Sequence, residues 1–420
     1  MTKSKKILMS VLLTASLAMP TIGANAAKTS NDGDEKFRVY VEASDSSTKS
    51  SLKGKHKARW ELTENGFSTE MNEKQFEALQ KDKNITVTKV QKVVLDTNVR
   101  AKQFEATVAE YPSHQTPWGI KAIYNNSSQT TTSGGQGINI AVLDTGVNVN
   151  HYDLENTVEQ CKDFSQATAL VNGVCNDANG HGTHVAGSAL ADGGDDGAGI
   201  YGVAPDSDLW AYKVLGDNGS GYSDDIAAAI RHAADQATAT GTKTVINMSL
   251  GSASNDSLIS SAVTYAYNKG VLVVAAAGNA GPNQGSIGYP GALVNAVAVA
   301  ALENVQQNGT YRVADFSSRG YASTDGDYVI NQGDVEISAP GAAIYSTWNN
   351  GGYNTISGTS MATPHVAGLA SKIWSQNPSW SNATLRANLQ NRAKSYDIKG
   401  GIGATTGDDY ASGFGFARVQ

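Results

Sequence analysis

The 420-residue sequence has few cysteines, few prolines and no apolar run long enough to cross a membrane. Proline occurs 9 times and cysteine twice, whereas glycine occurs 44 times without a fixed spacing. The irregular spacing excludes a collagen-like repeat, which needs glycine at every third position. With 40% apolar and 17% charged residues, the chain is typical of a soluble protein with one large and one smaller domain.

The N-terminus has the pattern of an export signal. Residues 1–6 are rich in lysine, residues 7–22 are mostly apolar, and Ala24-Asn25-Ala26 supplies small residues for cleavage. A membrane anchor is the alternative, but the apolar run is shorter than the ~20 residues of a spanning helix. The sequence therefore predicts a signal peptide over residues 1–26 and a secreted, extracellular protein without a membrane partner.

Acidic side chains are concentrated in the longer C-terminal part of the chain. Residues 112–420 contain 14 Lys and Arg against 25 Asp and Glu, whereas residues 28–111 contain 15 and 14. Nucleic-acid binding requires a basic face, so nucleic acid is not expected as a partner. We interpret the acidic surface as a contribution to solubility outside the cell.

The two cysteines, Cys161 and Cys175, lie fourteen positions apart. In an exported protein this spacing predicts one disulfide that closes a loop. A zinc site is disfavoured because no second pair of Cys or His lies nearby. Two free thiols remain the alternative.

Residues 28–111 have the patterns of a small α+β unit. Alternating apolar and polar residues predict strands over 37–42 and 85–95. Between them, residues 72–80 are typical of a helix with Phe76 and Leu79 on one face. Residues 96–116 are polar and irregular, which predicts a linker.

After residue 117, apolar runs alternate with alanine-rich helical stretches, which predicts parallel strands connected by helices. Continuous apolar strands are typical of a sheet that is buried on both faces. We therefore predict an α/β fold with a doubly wound, mainly parallel sheet and helices on both faces. The strands are expected at 138–143, 209–215, 245–250, 271–277, 296–301 and 335–338, and two of the helices at 224–238 and 257–268.

Four polar residues lie where these predicted elements begin or end. Asp144 and Asn279 follow strands, and His181 and Ser360 open helices. Three of them also have an ordinary structural interpretation: a turn residue for Asp144 and Asn279, and a helix N-cap for Ser360, with Pro364 in the first turn. Because reactive groups of doubly wound sheets gather beyond the carboxyl ends of the strands, we expect the four side chains to share one edge.

One reaction requires all four residue types. A serine hydroxyl needs a histidine to accept its proton, a carboxylate to orient that histidine, and a donor for the oxyanion. The chain order Asp144, His181, Ser360 is the order of subtilisin. An esterase of the α/β-hydrolase kind needs Gly-x-Ser-x-Gly and another order, and an inactive binding protein would lack one of the four residues.

The segments that contain these residues resemble the signature regions of subtilisin-like serine proteases. The resemblance extends over almost all of residues 117–420. It implies a secreted serine endopeptidase domain over residues 112–420 that acts on proteins and peptides. Nothing in the sequence suggests more than a monomer. The resemblance also implies a prodomain over residues 27–111 that acts as an intramolecular chaperone and inhibitor. The matching segments are 141–146, 181–187, 247–251, 274–281, 317–320 and 356–368.

The resemblance also assigns roles to individual residues. It implies that Asp144 orients His181, that His181 is the general base and acid, and that Ser360 is the nucleophile. Asn279 and the Ser360 N–H would form the oxyanion hole. The two strands that clasp an extended peptide match Gly219, Ser220 and Gly221, and Ser249, Leu250 and Gly251. The first specificity pocket matches Gly251, Ala276, Ala277, Gly278 and Gly288, whose small size leaves room for bulky apolar or aromatic side chains.

Structural calcium is the cofactor that the resemblance implies. Asp153 matches a bidentate calcium carboxylate, and Asp196 matches a position where a loop carboxamide often coordinates, with backbone oxygens nearby in 194–200. Asp334 and Glu336 match a second, weaker cation site. Hard oxygen ligands in flexible loops suit calcium. The cysteine pair, the long loop over 190–199 and an apparent insertion over 321–333 depart from the family pattern and leave the number of calcium sites open.

Overall fold

The computed structural model describes residues 35–95, 112 and 115–419. The predicted signal peptide and most of the predicted linker lie outside the described residues. Within the described ranges, no helix combines the length and the apolar character needed to cross a bilayer.

The N-terminal unit, residues 35–95, is a four-stranded antiparallel sheet with two helices. From one edge of the sheet to the other, the strands are Trp60–Glu61, Gly66–Asn72, Lys36–Ala43 and Ile85–Lys89. The strand predicted over 37–42 and the helix predicted over 72–80 are confirmed, and Asn72 caps that helix with a capping box. The elements are β1 (Lys36–Ala43), α1 (Ser46–Lys55), β2 (Trp60–Glu61), β3 (Gly66–Asn72), α2 (Glu73–Gln80) and β4 (Ile85–Lys89).

The prediction of one continuous strand over 85–95 is wrong. Strand β4 ends at Lys89, and a separate strand, β5 (Lys92–Val94), leaves the small sheet. β5 pairs antiparallel with Ser220–Tyr222 in the rest of the chain. The residue pattern continues through the break because both strands are half-buried; what changes is the partner, which a local pattern does not reveal.

The larger unit, residues 115–419, contains the remaining elements. In chain order they are α3 (Trp118–Ile123), β6 (Ile138–Asp144), β7 (Val158–Asp163), β8 (Val171–Asn172), α4 (His181–Leu190), β9 (Asp208–Lys213), β10 (Ser220–Tyr222), α5 (Ser223–Thr240), β11 (Lys243–Met248), α6 (Ser257–Asn268), β12 (Leu272–Ala276), β13 (Ala296–Gln307), β14 (Thr310–Val313), β15 (Ile337–Pro340), β16 (Ile344–Thr347), β17 (Tyr353–Ile356), α7 (Thr359–Gln376) and α8 (Asn382–Lys394).

The main sheet of the larger unit has the order β14-β13-β12-β11-β6-β9-β7-β8, and β15 also pairs with β13. All its pairs are parallel except β13 with β14 and β7 with β8. The predicted mainly parallel sheet is therefore confirmed. β7, β8 and β14 were not predicted, because the polar residues of strands near a sheet edge lack the continuous apolar signal.

Two hydrophobic cores lie on opposite faces of this sheet. Val142 and Val274 belong to the core that contains α4 and α7, whereas their neighbours Ala141 and Val273 belong to the core with α5 and α6. Successive side chains of a strand point to opposite faces, so a sheet covered on both sides needs unbroken apolar runs. The same packing fixes the strand ends from which the polar residues project.

Candidate active site

Asp144 and His181 are in direct contact at the carboxyl edge of the sheet. Asp144 ends β6 and is fully buried, and its Oδ1 accepts a hydrogen bond from Nδ1 of His181 at 2.7 Å. Burial lowers the pKa of His181, but the attraction of the Asp144 carboxylate outweighs it and the net pKa is raised. The pair therefore holds the imidazole in one orientation and stabilises its protonated form.

Helix α4 begins at His181 because Gly180 allows a tight approach. Gly180 has a φ of 100°, and a Cβ there would lie 2.4 Å from the ring of Trp348. Only glycine fits this left-handed position without strain. The backbone turn therefore places the histidine at the helix start, directly beside the end of β6.

Asp177, which the sequence analysis did not single out, organises this turn. Its two carboxylate oxygens accept hydrogen bonds from the hydroxyls of Thr145 and Thr183 at 2.8 and 2.7 Å. They also accept from backbone N–H groups at the start of α4. Because Thr145 follows Asp144 and Thr183 follows His181 by two positions, Asp177 ties both partners together. The backbone donors are Asn179, Gly180 and Thr183.

Ser360 is the second residue of α7, and the expectation that it is the N-cap is wrong. Gly358 occupies the cap position, and Pro364 lies inside the helix rather than in its first turn. Proline has no N–H to offer the carbonyl four residues earlier. That carbonyl, on Ser360, accepts from the Ser249 hydroxyl at 2.7 Å instead.

The Ser360 hydroxyl donates to the carbonyl of Ser249 at 3.1 Å. Within the described part of the chain, no hydrogen bond joins this hydroxyl to His181. Contacts between a nucleophile and its base often tighten only in the complex with substrate.

Two N–H donors converge above Gly358. The Asn279 carbonyl accepts from the backbone N–H and the hydroxyl of Thr359 at 2.9 and 3.0 Å, which fixes the orientation of its amide. A methyl group on Gly358 would lie 3.6 Å from both Asn279 Nδ2 and Ser360 N. The absence of a side chain at Gly358 therefore leaves a space that both donors border, beside the N-terminus of α7.

Most of the expected substrate-binding residues surround one cleft of about 510 Å³. Ala277 lies behind its wall, where its carbonyl accepts the N–H of Gly288 at 2.8 Å. The predicted residues that line the cleft are Ser249, Leu250, Gly251, Ala276, Gly278, Asn279, Gly288 and Ser360. Lining residues that the sequence analysis missed are Lys92, Val94, Leu95, Ser252, Ala253, Ala280, Ser286, Ser318 and Thr359.

The predicted residues Gly219, Ser220 and Gly221 do not line the cleft, but their strand pairs with an extended segment of this chain whose residues Lys92, Val94 and Leu95 do. In the β10–β5 pair, Ser220 lies opposite Val94 and Gly221 opposite Val93. The N–H of Leu95 donates to the Gly219 carbonyl at 2.8 Å, and Leu95 lines the cleft. The backbone of Gly219–Gly221 thus binds an extended peptide by strand addition, and here the peptide is the end of the N-terminal unit.

The predicted Cys161–Cys175 disulfide is confirmed, and the pair does not occur as free thiols. It joins β7 to the segment before α4. The Cys175 carbonyl accepts the N–H of Val147 at 2.8 Å, so the crosslinked segment also packs beside the end of β6.

Asp153 fits a calcium ligand. Its Oδ2 accepts the N–H of Ile200 at 3.2 Å, whereas its Oδ1 is buried and has no hydrogen-bond partner among the residues described. A Cβ on Gly199 would lie 1.5 Å from Oδ1, so the loop backbone approaches this oxygen closely. Burial raises the pKa of Asp153 to about 6. A hard cation held by this carboxylate and loop carbonyls would satisfy the orphaned oxygen.

The other expected metal ligands behave differently. Asp196 is exposed and accepts from the Tyr152 hydroxyl at 2.5 Å and the Ala198 N–H at 2.8 Å. Asp334 accepts from Thr324 and Asn331. The described ranges contain no group of three or more Asp, Glu, His or Cys placed to share an ion. A calcium site at Asp196 or Asp334 would therefore depend on backbone oxygens.

The expectation that Glu336 is a ligand of a second cation site is corrected by its contacts. Its buried carboxylate forms a salt bridge with Arg386, from Nη2 to Oε2 at 2.6 Å, and accepts from Gln390 at 2.7 Å. A guanidinium this close occupies the carboxylate and repels a metal cation. Glu336 is therefore a structural ion-pair partner.

These features define a serine protease built on a doubly wound α/β sheet. Residues 135–415 match the model of the subtilase family. The chain belongs to this family of subtilisin-like serine proteases and is a hydrolase.

Relatives share both the sequence and the fold. A protein named subtilisin from Bacillus sp. (strain TA39) is 64% identical over 424 residues, covering 100% of both chains. Subtilisin Savinase from Lederbergia lenta is 40% identical over 281 residues, which cover 66% of this chain and 91% of Savinase. Among solved structures, sphericase is 78% identical with a TM-score of 0.73, over 73% of this chain and 99% of sphericase.

Proposed function

We propose that the chain is a secreted endopeptidase of broad specificity that hydrolyses peptide bonds through an acyl-enzyme. The observation that carries this proposal is the Asp144–His181 hydrogen bond of 2.7 Å, located in the same family domain as a cleft that Ser360 and Asn279 line. Family membership supports serine-protease chemistry; the roles of individual residues are our assignment.

In the proposed mechanism, Ser360 Oγ attacks the scissile carbonyl while His181 Nε2 accepts its proton. The carbonyl oxygen becomes an oxyanion in the space above Gly358, where Asn279 Nδ2 and Ser360 N donate to it. His181 then protonates the leaving amine, and water deacylates the serine by the same steps in reverse. Asp144 stays ionised throughout and stabilises the imidazolium.

We further propose a preference for large apolar or aromatic side chains before the scissile bond. Gly251, Ala276, Gly278 and Gly288 line the cleft and present no bulky or charged group. Such a pocket gains from burial of a large apolar side chain. Peptide substrates that differ only by Phe, Lys or Glu at this position test the preference; faster cleavage after Lys or Glu would contradict it.

The remaining parts of the chain receive matching roles. We assign residues 1–26 to a signal peptide, residues 27–111 to a prodomain and residues 112–420 to a monomeric peptidase domain. Calcium would bind at Asp153 with backbone oxygens of 194–200, where it would supply positive charge that holds the loop in place. Melting curves with and without a chelator test this site, and an unchanged melting temperature would contradict it.

Casein digestion by Ser360→Ala protein tests the central assignment. We expect kcat to fall by about 10⁶-fold, the magnitude known for the same change in subtilisin. Ser395→Ala, at an exposed hydroxyl remote from the cleft, is the control and retains activity. An irreversible serine-directed inhibitor should abolish the activity of the Ser395→Ala protein. Undiminished digestion by the Ser360→Ala protein would refute the proposal.

A further inference from the structure

Two adjacent carboxylates are buried in the first turn of α5. The side chains of Asp224 and Asp225 are 0% and 1% exposed. The N-terminus of a helix favours negative charge, but burying two neighbouring carboxylates costs free energy unless cations compensate them. The question is therefore which groups compensate this pair.

The compensating cations belong to the N-terminal unit. Arg38 on β1 donates through Nη1 to Asp224 Oδ1 at 3.2 Å and to Asp225 Oδ2 at 2.6 Å. Arg59, directly before β2, donates through Nε to Asp225 Oδ1 at 2.9 Å. We call Arg38 and Arg59 the arginine clamp.

The two arginines of the clamp are buried, and each makes a further contact with the larger unit. The Arg38 and Arg59 side chains are only 11% and 6% exposed. The Arg38 guanidinium lies 3.9 Å from the ring centre of Tyr222, and Arg59 Nη2 donates to the Phe164 carbonyl at 3.1 Å. Planar guanidinium groups suit such stacked and forked contacts better than lysine does.

The larger unit leaves the aspartates without other hydrogen-bonded compensation. In the described structure, every side-chain hydrogen bond that Asp225 accepts comes from the N-terminal unit, including one from Trp60 Nε1 at 2.7 Å. Asp224 Oδ2 is buried without a hydrogen-bond partner, 3.9 Å from Arg59 Nε. An N-terminal unit without the clamp would leave both carboxylates buried without a cation, and Asp225 with the Trp60 hydrogen bond alone.

Building on the proposed prodomain role, we propose that the Asp224–Asp225 pair is the site by which the peptidase domain recognises its own N-terminal unit. The partner chemistry is a pair of guanidinium groups, one on β1 and one directly before β2, the two strands that flank β3. This makes the site selective for a basic partner. A neutral or acidic surface in place of the arginines would bury the two carboxylates without a cation, which is unfavourable.

The clamp also bears on the active site. β10 precedes α5 without a gap, and the Ser223 N–H donates to the Gln91 carbonyl at 3.0 Å. The ion pairs and the β5–β10 strand pair thus lie side by side on one continuous segment. Weakening the clamp should therefore loosen the pairing of β5 with β10 and withdraw β5 from the cleft.

Hydrogen exchange of the full chain carrying Ser360→Ala, which prevents self-cleavage, tests the proposal. In Asp225→Asn and in Arg38→Gln/Arg59→Gln, we expect the amides of 92–95 and 220–222 to lose about 100-fold or more of their protection, since truncating one side of a buried charge pair has effects of this size. Amides of β11 and β12 should remain unchanged. The reciprocal exchange R59D/D225R should recover at least ~10-fold of the loss.

Lys89→Gln is the matched control, because Lys89 forms an exposed ion pair within the N-terminal unit. It should leave protection of 92–95 unchanged. Where the arginine variants also unfold β1–β3, Asp225→Asn decides, because it alters only the larger unit. Unchanged protection in Asp225→Asn would overturn the proposal. The readout needs no catalysis, so failure of the casein assay would reject the proposed function separately.

Discussion

Two buried clusters of arginine and carboxylate differ in how their partners are connected. Glu336 and Arg386 both belong to the larger unit, between β15 and α8, where Arg386 also donates to the carbonyls of Val294 and Ala296. The arginine clamp joins two units: both cations belong to the N-terminal unit, and both carboxylates belong to the larger unit. The first cluster opens only when the domain unfolds, whereas the second can be separated by undocking.

The surrounding cores differ in the same way. The larger unit has a core on each face of its sheet, while the core of the N-terminal unit is a small cluster under α1 and α2. Leu62, Val93 and Leu95 instead pack into the core that contains α5 and α6. Part of the apolar surface of the N-terminal unit is thus buried only by docking, which makes the unit dependent on the larger one.

Arg386→Gln should produce the largest change in stability, because it leaves Glu336 buried without its cation. Removing one partner of a buried ion pair costs about 3–5 kcal/mol. Urea unfolding of the larger unit, in the Ser360→Ala background, measures this cost. Lys399→Gln is the control, since Lys399 Nζ lies 3.8 Å from Asp397 Oδ2 in a partly exposed pair, with side chains 42% and 23% exposed. A loss below about 1 kcal/mol would show that Glu336 finds other partners.

Local sequence patterns predicted the strands that are buried on both faces, and the residues that follow them. Asp144 and Asn279 were located because a continuous apolar run ends directly before Asp144 and another ends two positions before Asn279. The Glu336–Arg386 pair was missed because the two residues lie fifty positions apart, and nothing near Glu336 distinguishes an ion-pair carboxylate from a metal ligand. β5 was merged with β4 because its partner, β10, is more than a hundred residues away.

The same limit explains why Asp177 was overlooked. Its sequence context is an ordinary turn, and its importance arises only when the end of β6 and the start of α4 meet around it. The available signal was the segment Asn176-Asp177-Ala178-Asn179-Gly180, which ends where helix α4 begins. Such a cluster of Asp, Asn and Gly is equally typical of an ordinary loop.

Asp177→Asn should have an intermediate effect that appears in catalysis. The amide cannot accept all five hydrogen bonds, so His181 loses part of its positioning and kcat/KM falls on the order of 10- to 100-fold. The negative charge of Asp177 also helps to raise the pKa of His181. Because the base must be neutral, activity rises with pH through that pKa, and the acid limb should move to lower pH in the variant.

The pH profile of kcat/KM with an uncharged peptide measures this shift. Asp144 and Lys213 are the other charged groups beside the turn; Lys213 donates to the Thr145 carbonyl and pairs with Asp217. Asp217→Asn is the control, because the Asp217 side chain is 65% exposed and solvent screens its charge. An acid limb that moves equally in both variants would exclude a specific role for Asp177.

Breaking the exposed ion pair of Lys89 and Glu73 should change the free energy of unfolding least of the ion pairs compared. Its side chains are 55% and 49% exposed, although their atoms approach to 3.1 Å, as close as the buried contacts. Surface pairs contribute about 0–1 kcal/mol because water compensates each charge separately. Lys89→Gln should therefore change the urea midpoint of the N-terminal unit little. A loss comparable to that of Arg386→Gln would mean that distance, rather than burial, determines the strength of these contacts.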